Sequence, residues 1–185
     1  MAMQGNVRLG KSFFSRDVLV VAPELIGSIL VRKYDDTTES RHVITDIEIY
    51  RGMEDLACHA SKGRTPRNSV MFEEGGLVYV YFIYGMHWLL NVVTGTRDDP
   101  QAILIRGLHD CSGPARLTKR LAINGEFYAE DLSTSSRLWL ERGSQVAYEV
   151  GPRIGIDYAG EYWKSVPWRY FVGSASPFTL PKKNS

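Results

Sequence analysis

Apolar residues recur at every second position in SILVRKY and again in RHVITDIEIY, and the polar DDTTESR between them reads as a turn joining two strands. Strict alternation places Val43, Thr45, Ile47 and Ile49 on one face of the second strand and Ile44, Asp46, Glu48 and Tyr50 on the other. Upstream, Val18, Val21, Leu25 and Ile26 follow helical spacing, with Ser15 or Asp17 as the cap, Pro23 tolerated as a proline near a helix start, and Gly27 near the end. Further on, LVYVYFIY and the returning WLLNVV flank Tyr84, Gly85 and Met86 and predict a hairpin. Its register has two outcomes: a two-residue loop at Gly85-Met86 pairs Tyr81 with Leu90 and turns Asn91 away, whereas an odd-length loop brings Asn91 opposite Tyr81. AILIRGL and WRYFVGSASPF read as additional strands, and GPARLTKRLAI as a short helix begun by Pro114. The expected architecture is α+β: one domain over 1–185, a curved, mostly antiparallel, open-barrel-like sheet, a few surrounding helices and a protruding β-hairpin.

Composition narrows the class without naming the chemistry. With 185 residues, 44% hydrophobic and 23% charged, the chain suits one globular domain with a single substantial core. No repeat, low-complexity tract or linker divides it. A formal charge of +1 makes no global case for a polyanion partner, so any such site must be a local patch. Cys58 and Cys111 stand far apart, outside any metal spacing, which fits a reducing compartment. The apolar run from Val18 is broken by Pro23, Glu24 and Gly27, and the N-terminus lacks a signal-peptide core, so no membrane segment is expected.

The candidate chemistry gathers in three stretches. An acidic residue on a strand is ordinarily a solvated face or half an ion pair, and Asp46 reads as a structural acceptor. Glu48 lies among Ile47, Ile49 and Tyr50, an apolar setting that raises a carboxylate pKa and suits proton transfer near neutral pH. His59 follows after a short loop that can return it to the pocket of Glu48 and Tyr50; taken alone, a single histidine is more often structural. Alternating tyrosines commonly fill a core, yet Tyr84 at a hairpin tip, beside Gly85 and Met86, is hard to bury and is a candidate wedge for a base stack. Asn91 is the polar exception in WLLNVV, and a buried amide must be hydrogen-bonded or reserved for a ligand. KGRTPRN supplies Lys62, Arg64 and Arg67, by default a solvated run, but beside an aromatic wedge a phosphate contact is the better reading. Arg106 ends an apolar strand and needs a phosphate, a carboxylate or water. The scattered histidines make no zinc spacing, and no catalytic metal is expected.

Together these blocks resemble the alkyladenine (3-methyladenine) DNA glycosylase family, the human alkylpurine glycosylase type. The likeness runs through SFFSRDVLVVAPELIGSILVR, ITDIEIYRGMEDLACHASKGRTPRNSVMF, GLVYVYFIYGMHWLLNVV, ILIRGL, SGPARLTKRLAI and GPRIGIDYAGEYWKSVPWRYFV. The resemblance implies that Glu48 activates water, that Tyr50, His59 and Tyr81 sandwich a flipped base, and that Tyr84 takes its place in the duplex. It further implies Asn91 as the amide that disfavours guanine, Arg106 near the water and the adjacent phosphate, and no metal or redox cofactor. With Met86, His87, Arg64 and Arg67 at the DNA, the implied partner is double-stranded DNA containing damaged purines, bound by a monomer. The absence of targeting signals leads to the expectation of a bacterial cytoplasm beside the nucleoid, or the nucleus in a eukaryote. Between ILIRGL and CSGPARL this chain has only His109 and Asp110, where family members carry a longer segment, and His87 stands where an aromatic is common. The reading from a different class is a module that stacks unpaired bases without cutting; a nucleoside or RNA glycoside hydrolase is a second alternative.

Overall fold

The computed structural model describes residues 7–173. In chain order these form α1 (Lys11–Phe14), α2 (Val18–Leu25), β1 (Ile29–Lys33), β2 (Glu39–Arg51), β3 (Val78–Ile83), β4 (His87–Thr94), β5 (Gln101–Leu108) and β6 (Cys111–Ser112). Then follow α3 (Pro114–Arg120), β7 (Leu138–Glu141), β8 (Glu149–Gly151), α4 (Gly160–Ser165) and β9 (Arg169–Phe171). The sheet runs β3-β4-β5-β2-β1-β7, with β6 beside β5 and the β8–β9 pair joined to β2; every strand pairing is antiparallel. This is the expected α+β domain with an open sheet. Part of the last predicted strand, from Ser174 to Phe178, lies outside the described residues.

The N-terminal helix forms in two pieces. Asp17 accepts the Leu19 N–H at 2.9 Å and is the cap of α2, whereas Ser15 closes the separate turn α1 through its hydroxyl on the Lys11 carbonyl. Pro23 stands near the C-terminal end of α2 rather than its start, and the helix ends within one turn of it. Val18, Val21 and Leu25 of α2 and Leu117 of α3 bury against Ile47, Ile49, Ile103 and Ile105, which line one face of the sheet.

The alternation expected along β2 fails at one point. Ile44 pairs with Leu108, Asp46 with Gly107 and Ile47 with Ile105, so Thr45 on β2 and Arg106 on β5 are each left without an opposite residue. An extra residue reverses the phase of a strand. Ile44 therefore joins Ile47 and Ile49 in the main core, all fully buried, while Val43 packs in a separate cluster with Ile29 and Val31. Burial of a side chain such as Ile44 is worth about 1.5–3 kcal/mol, more than the pairing forfeited at the bulge. Gly107 permits the close strand contact there, since a Cβ at that position would stand 2.9 Å from the Cβ of Asp46. Beyond the bulge the expected faces hold, and Asp46, Glu48 and Tyr50 share the side away from the main core.

That second side is covered by the segment between β2 and β3. Ala60, Val70, Met71 and Phe72 from its two 3₁₀ turns, with Cys58 just before the first, pack on Tyr79, Val93 and Ala102 of the sheet. The turn between β5 and β6 is short, with Leu108 opposite Cys111 across His109 and Asp110, and Asp110 is held by His42 and Arg120. Among the described residues no helix is long and apolar enough to cross a membrane, and no group of three or more His, Cys, Asp and Glu is arranged to hold a metal ion.

Candidate active site

Pairing across the sheet sets Tyr79 opposite Asn91, Asn91 opposite Leu104, Leu104 opposite Glu48, and Glu48 opposite Arg169. Directly opposed residues point to the same face, so these side chains form one transverse row. The next row on that face runs Val93, Ala102, Tyr50. The hairpin loop is odd, consisting of Tyr84, Gly85 and Met86, because Ile83 pairs with His87. Asn91 and Tyr81 consequently share a face, although Asn91 stands opposite Tyr79, and Tyr81 stands opposite Leu89.

A cavity of about 40 Å³ opens over these rows, and Tyr50, His59, Tyr81 and Asn91 all line it, with Tyr79 and Tyr158. The His59 and Tyr81 rings meet edge to face at 4.6 Å. Tyr79, almost fully buried, bonds its hydroxyl to Nδ1 of His59 at 2.8 Å. Burial, with Arg67 and Lys62 nearby, lowers the His59 pKa to about 4, so its ring is uncharged at neutral pH. Asn91 donates Nδ2–H to the Tyr79 carbonyl at 3.1 Å, which fixes the amide.

Glu48 has no exposed surface, is not itself a lining residue of this cavity, and is linked to it through Tyr50, which is. Its Oε2 accepts from the Tyr50 hydroxyl at 2.9 Å, its Oε1 accepts from the Ile154 N–H at 2.7 Å, and Nη1 of Arg106 lies 3.3 Å from Oε1. Burial raises the carboxyl pKa, and the attraction of Arg106 and the two hydrogen bonds oppose that rise without cancelling it. The bulge turns Arg106 toward both acids of β2, and its buried Nε lacks a hydrogen-bond partner. Asp46 is a structural acceptor, gripped by Arg169 at 3.0 and 2.9 Å.

The hairpin carries Tyr84, 87% exposed, and Met86, 67% exposed, out of the domain, with His87 at the foot of the returning strand. Tyr84 has φ 50° and Gly85 φ 65°, so a bulky side chain occupies the left-handed region at the tip. Arg64 and Arg67 differ. Arg64 is paired with Glu73 and Asp98 and lies over Phe72, whereas Arg67 lies over the Tyr81 ring, donates to the Phe82 carbonyl and meets no carboxylate among the described residues.

Four contributors have no counterpart among the residues singled out from the sequence. Arg153 and Asp55 form a bidentate pair at 2.6 and 2.9 Å, with both side chains fully buried. The Arg153 guanidinium lies 4.9 Å from the centre of the Tyr50 ring, and the next residue, Ile154, supplies the N–H to Glu48. Asp55 also accepts from the Ala57 N–H, which holds the loop at the cavity wall. Tyr158 completes that wall. The partners are about a hundred residues apart, so only the Pro-Arg after Gly151 and the acid in EDLACH hinted at them.

The aromatic cavity, joined through Tyr50 to a buried, arginine-linked carboxylate, agrees with the relationships of the chain. The family model described as Methylpurine-DNA glycosylase matches residues 12–110 and 108–176. A Wolbachia protein (subsp. Brugia malayi) whose name includes 3-methyladenine DNA glycosylase is 45% identical over 168 residues, covering 86% of this chain and 96% of its own. A similarly named protein of Myxococcus xanthus is 41% identical over 176 residues, covering 89% of each chain. The human DNA-3-methyladenine glycosylase is 35% identical over 198 residues, covering 89% of this chain and 65% of its own. The chain therefore belongs to the methylpurine-DNA glycosylase family and is a DNA glycosylase.

Proposed function

We propose that this protein removes damaged purines, alkylated or deaminated, from double-stranded DNA by hydrolysing the bond between the base and its deoxyribose. The observation that carries the reading is Glu48: a buried carboxylate, joined to Arg106 and hydrogen-bonded to Tyr50, which with His59 and Tyr81 walls the cavity. A base inside a duplex cannot reach such a site, so the target nucleotide turns out of the stack. Tyr84 and Met86, exposed at the tip of a protruding hairpin, fill the gap it leaves.

Selection follows from ring charge. An alkylated purine is electron-poor or cationic, and tyrosine faces attract cations. His59, uncharged at working pH, adds a stacking face without repelling such a base. Asn91, anchored on the Tyr79 carbonyl, presents a fixed amide against which a normal guanine is rejected.

In the chemical step a water oxygen bonds to the sugar C1′, the C1′–N bond breaks, and the base leaves with the electron pair. The water proton passes to Glu48; a cationic alkylated base leaves neutral and Glu48 then returns its proton to solvent, whereas a neutral deaminated base leaves as an anion and takes up one proton, so that the products are a free base and an abasic site. Desolvation makes Glu48 a stronger proton acceptor than a surface carboxylate, and Arg106 keeps it ionised enough to act. Arg106, whose Nη1 lies 3.3 Å from Glu48 and whose buried Nε faces Asp46 at 4.0 Å, brings its positive charge to the side of the water and the adjacent phosphate. The test is release of free base from lesion-bearing duplexes by the wild type and by Glu48→Gln. The variant is expected to retain lesion binding and lose excision, and undiminished excision would refute the assignment.

A further inference from the structure

The cavity beside Asn91 has room for only a few waters, far below the ~300–1,000 Å³ of sites that enclose a small organic molecule. Next to it lies a cleft of about 350 Å³, and Ala57, His59, Tyr79 and Tyr158 line both spaces. A purine ring that passes from the cleft into the inner space must displace one of these shared walls. Three of them are held. Ala57 is buried and tied by its N–H to Asp55; His59 is bonded through Nδ1 to Tyr79 and through its carbonyl to Asn68; Tyr79 is fully packed within β3. Among the other walls, Tyr50 could yield only by leaving Glu48 and the Arg153 guanidinium.

Tyr158 is held far less. It is 71% exposed, and its hydroxyl makes one long hydrogen bond, 3.3 Å to the Ala57 carbonyl. Its neighbours Ile156 and Ala159 are buried against Ala57, so the backbone stays in place while the side chain is free to turn. We propose that Tyr158 is the gate of the base pocket: its rotation joins the two spaces, and its bulk sets the size of purine that is admitted. The inference rests on reading the cavity as a purine site. Turning the ring costs one long hydrogen bond, and it opens the small inner space to a cleft that is by itself of the size that encloses a small organic molecule.

The test uses a duplex bearing 1,N6-ethenoadenine, whose own fluorescence reports its movement from stack to pocket, mixed by stopped flow with the wild type and with Tyr158→Ala, Tyr158→Phe and Tyr158→Trp. The position is exposed, so all three variants should melt with the wild type. Insertion is expected to quicken about fivefold or more in the Ala variant and to slow in the Trp variant. The single-turnover ratio of ethenoadenine to hypoxanthine excision should rise in the first and fall in the second by a similar factor of about five. The Phe variant, which loses only the bond to Ala57, should insert faster with an unchanged excision ratio. Equal insertion rates and ratios in all four proteins would overturn the gate while leaving the purine site intact. No fluorescence change and no base release by any of them would overturn the purine site, and the gate with it.

Discussion

Removing the Asp55 carboxylate isolates a buried charge, and the structure sets the size of the effect. Arg153 loses two charge-assisted bonds of 2.6 and 2.9 Å, in a place where neither side chain touches solvent. Its remaining acceptors are the carbonyls of Ile49 and Trp163, which carry no charge to match it. Breaking one side of such a pair costs ~3–5 kcal/mol, because the partner stays desolvated and unpaired. For a domain of this size each kcal/mol lowers the melting temperature by about 2–4 °C, so Asp55→Ala should melt roughly 6–20 °C below the wild type. Removing both charges is different: Asp55→Leu combined with Arg153→Met should recover most of that loss, since the double variant buries no charge. Urea and thermal melts of Asp55→Leu, Arg153→Met and the double variant close the cycle. The double variant should still excise slowly at temperatures where it is folded, because the Ile154 N–H and the Tyr50 ring lose the guanidinium that holds them. A single variant less than about 1 kcal/mol below the wild type would refute the reasoning that this pair is a buried, mutually dependent unit.

Two other perturbations separate chemistry from architecture. Tyr50→Phe keeps the stacking face but deletes the donor to Oε2 of Glu48. That bond favours the ionised carboxyl, so its loss raises the Glu48 pKa further; activity, which needs the ionised form, should then fall at a higher pH as the solution is acidified, and an unmoved acid limb in single-turnover rates would speak against Glu48 as the base. Tyr84→Asn puts a residue that tolerates positive φ at the hairpin tip, where a tyrosine costs about 1–2 kcal/mol. Its melting temperature should match or exceed the wild type while excision from duplex DNA drops about tenfold or more; full excision would remove Tyr84 from the flipping step.

The pattern of side chains revealed the strands and most of the site, because period-two alternation and a Gly-containing tip are local signals. Glu48 and Tyr50 pointing the same way and the hairpin follow from that logic, whereas the gathering of His59, Tyr81 and Asn91 in one cavity is implied by the family resemblance and needs the odd loop that the alternation leaves open. The bulge at Thr45 and Arg106 was invisible, since it arises from the competition between pairing and the burial of Ile44, a residue the alternation assigned to the wrong side. The start of α2 is legible, since Asp17, one of the two caps the sequence offers, caps it; the place of Pro23 is not, because it stands six residues beyond that cap, near the end of the helix rather than its start. Arg153, Ile154 and Tyr158 come from a segment with weak periodicity that docks beside β2 only in the folded molecule. A buried carboxylate must find donors somewhere, and that requirement, rather than any spacing, is the signal that would have led from Glu48 to the C-terminal segment.

The most direct measurement is release of free base from duplex DNA containing an alkylated or deaminated purine, with wild type and Glu48→Gln side by side and no added metal. The expected result is release by the wild type alone, with lesion binding preserved in the variant. Equal release by both proteins would contradict the role of Glu48, and tight lesion binding with no release by either would make the site a base-stacking module rather than a hydrolytic one.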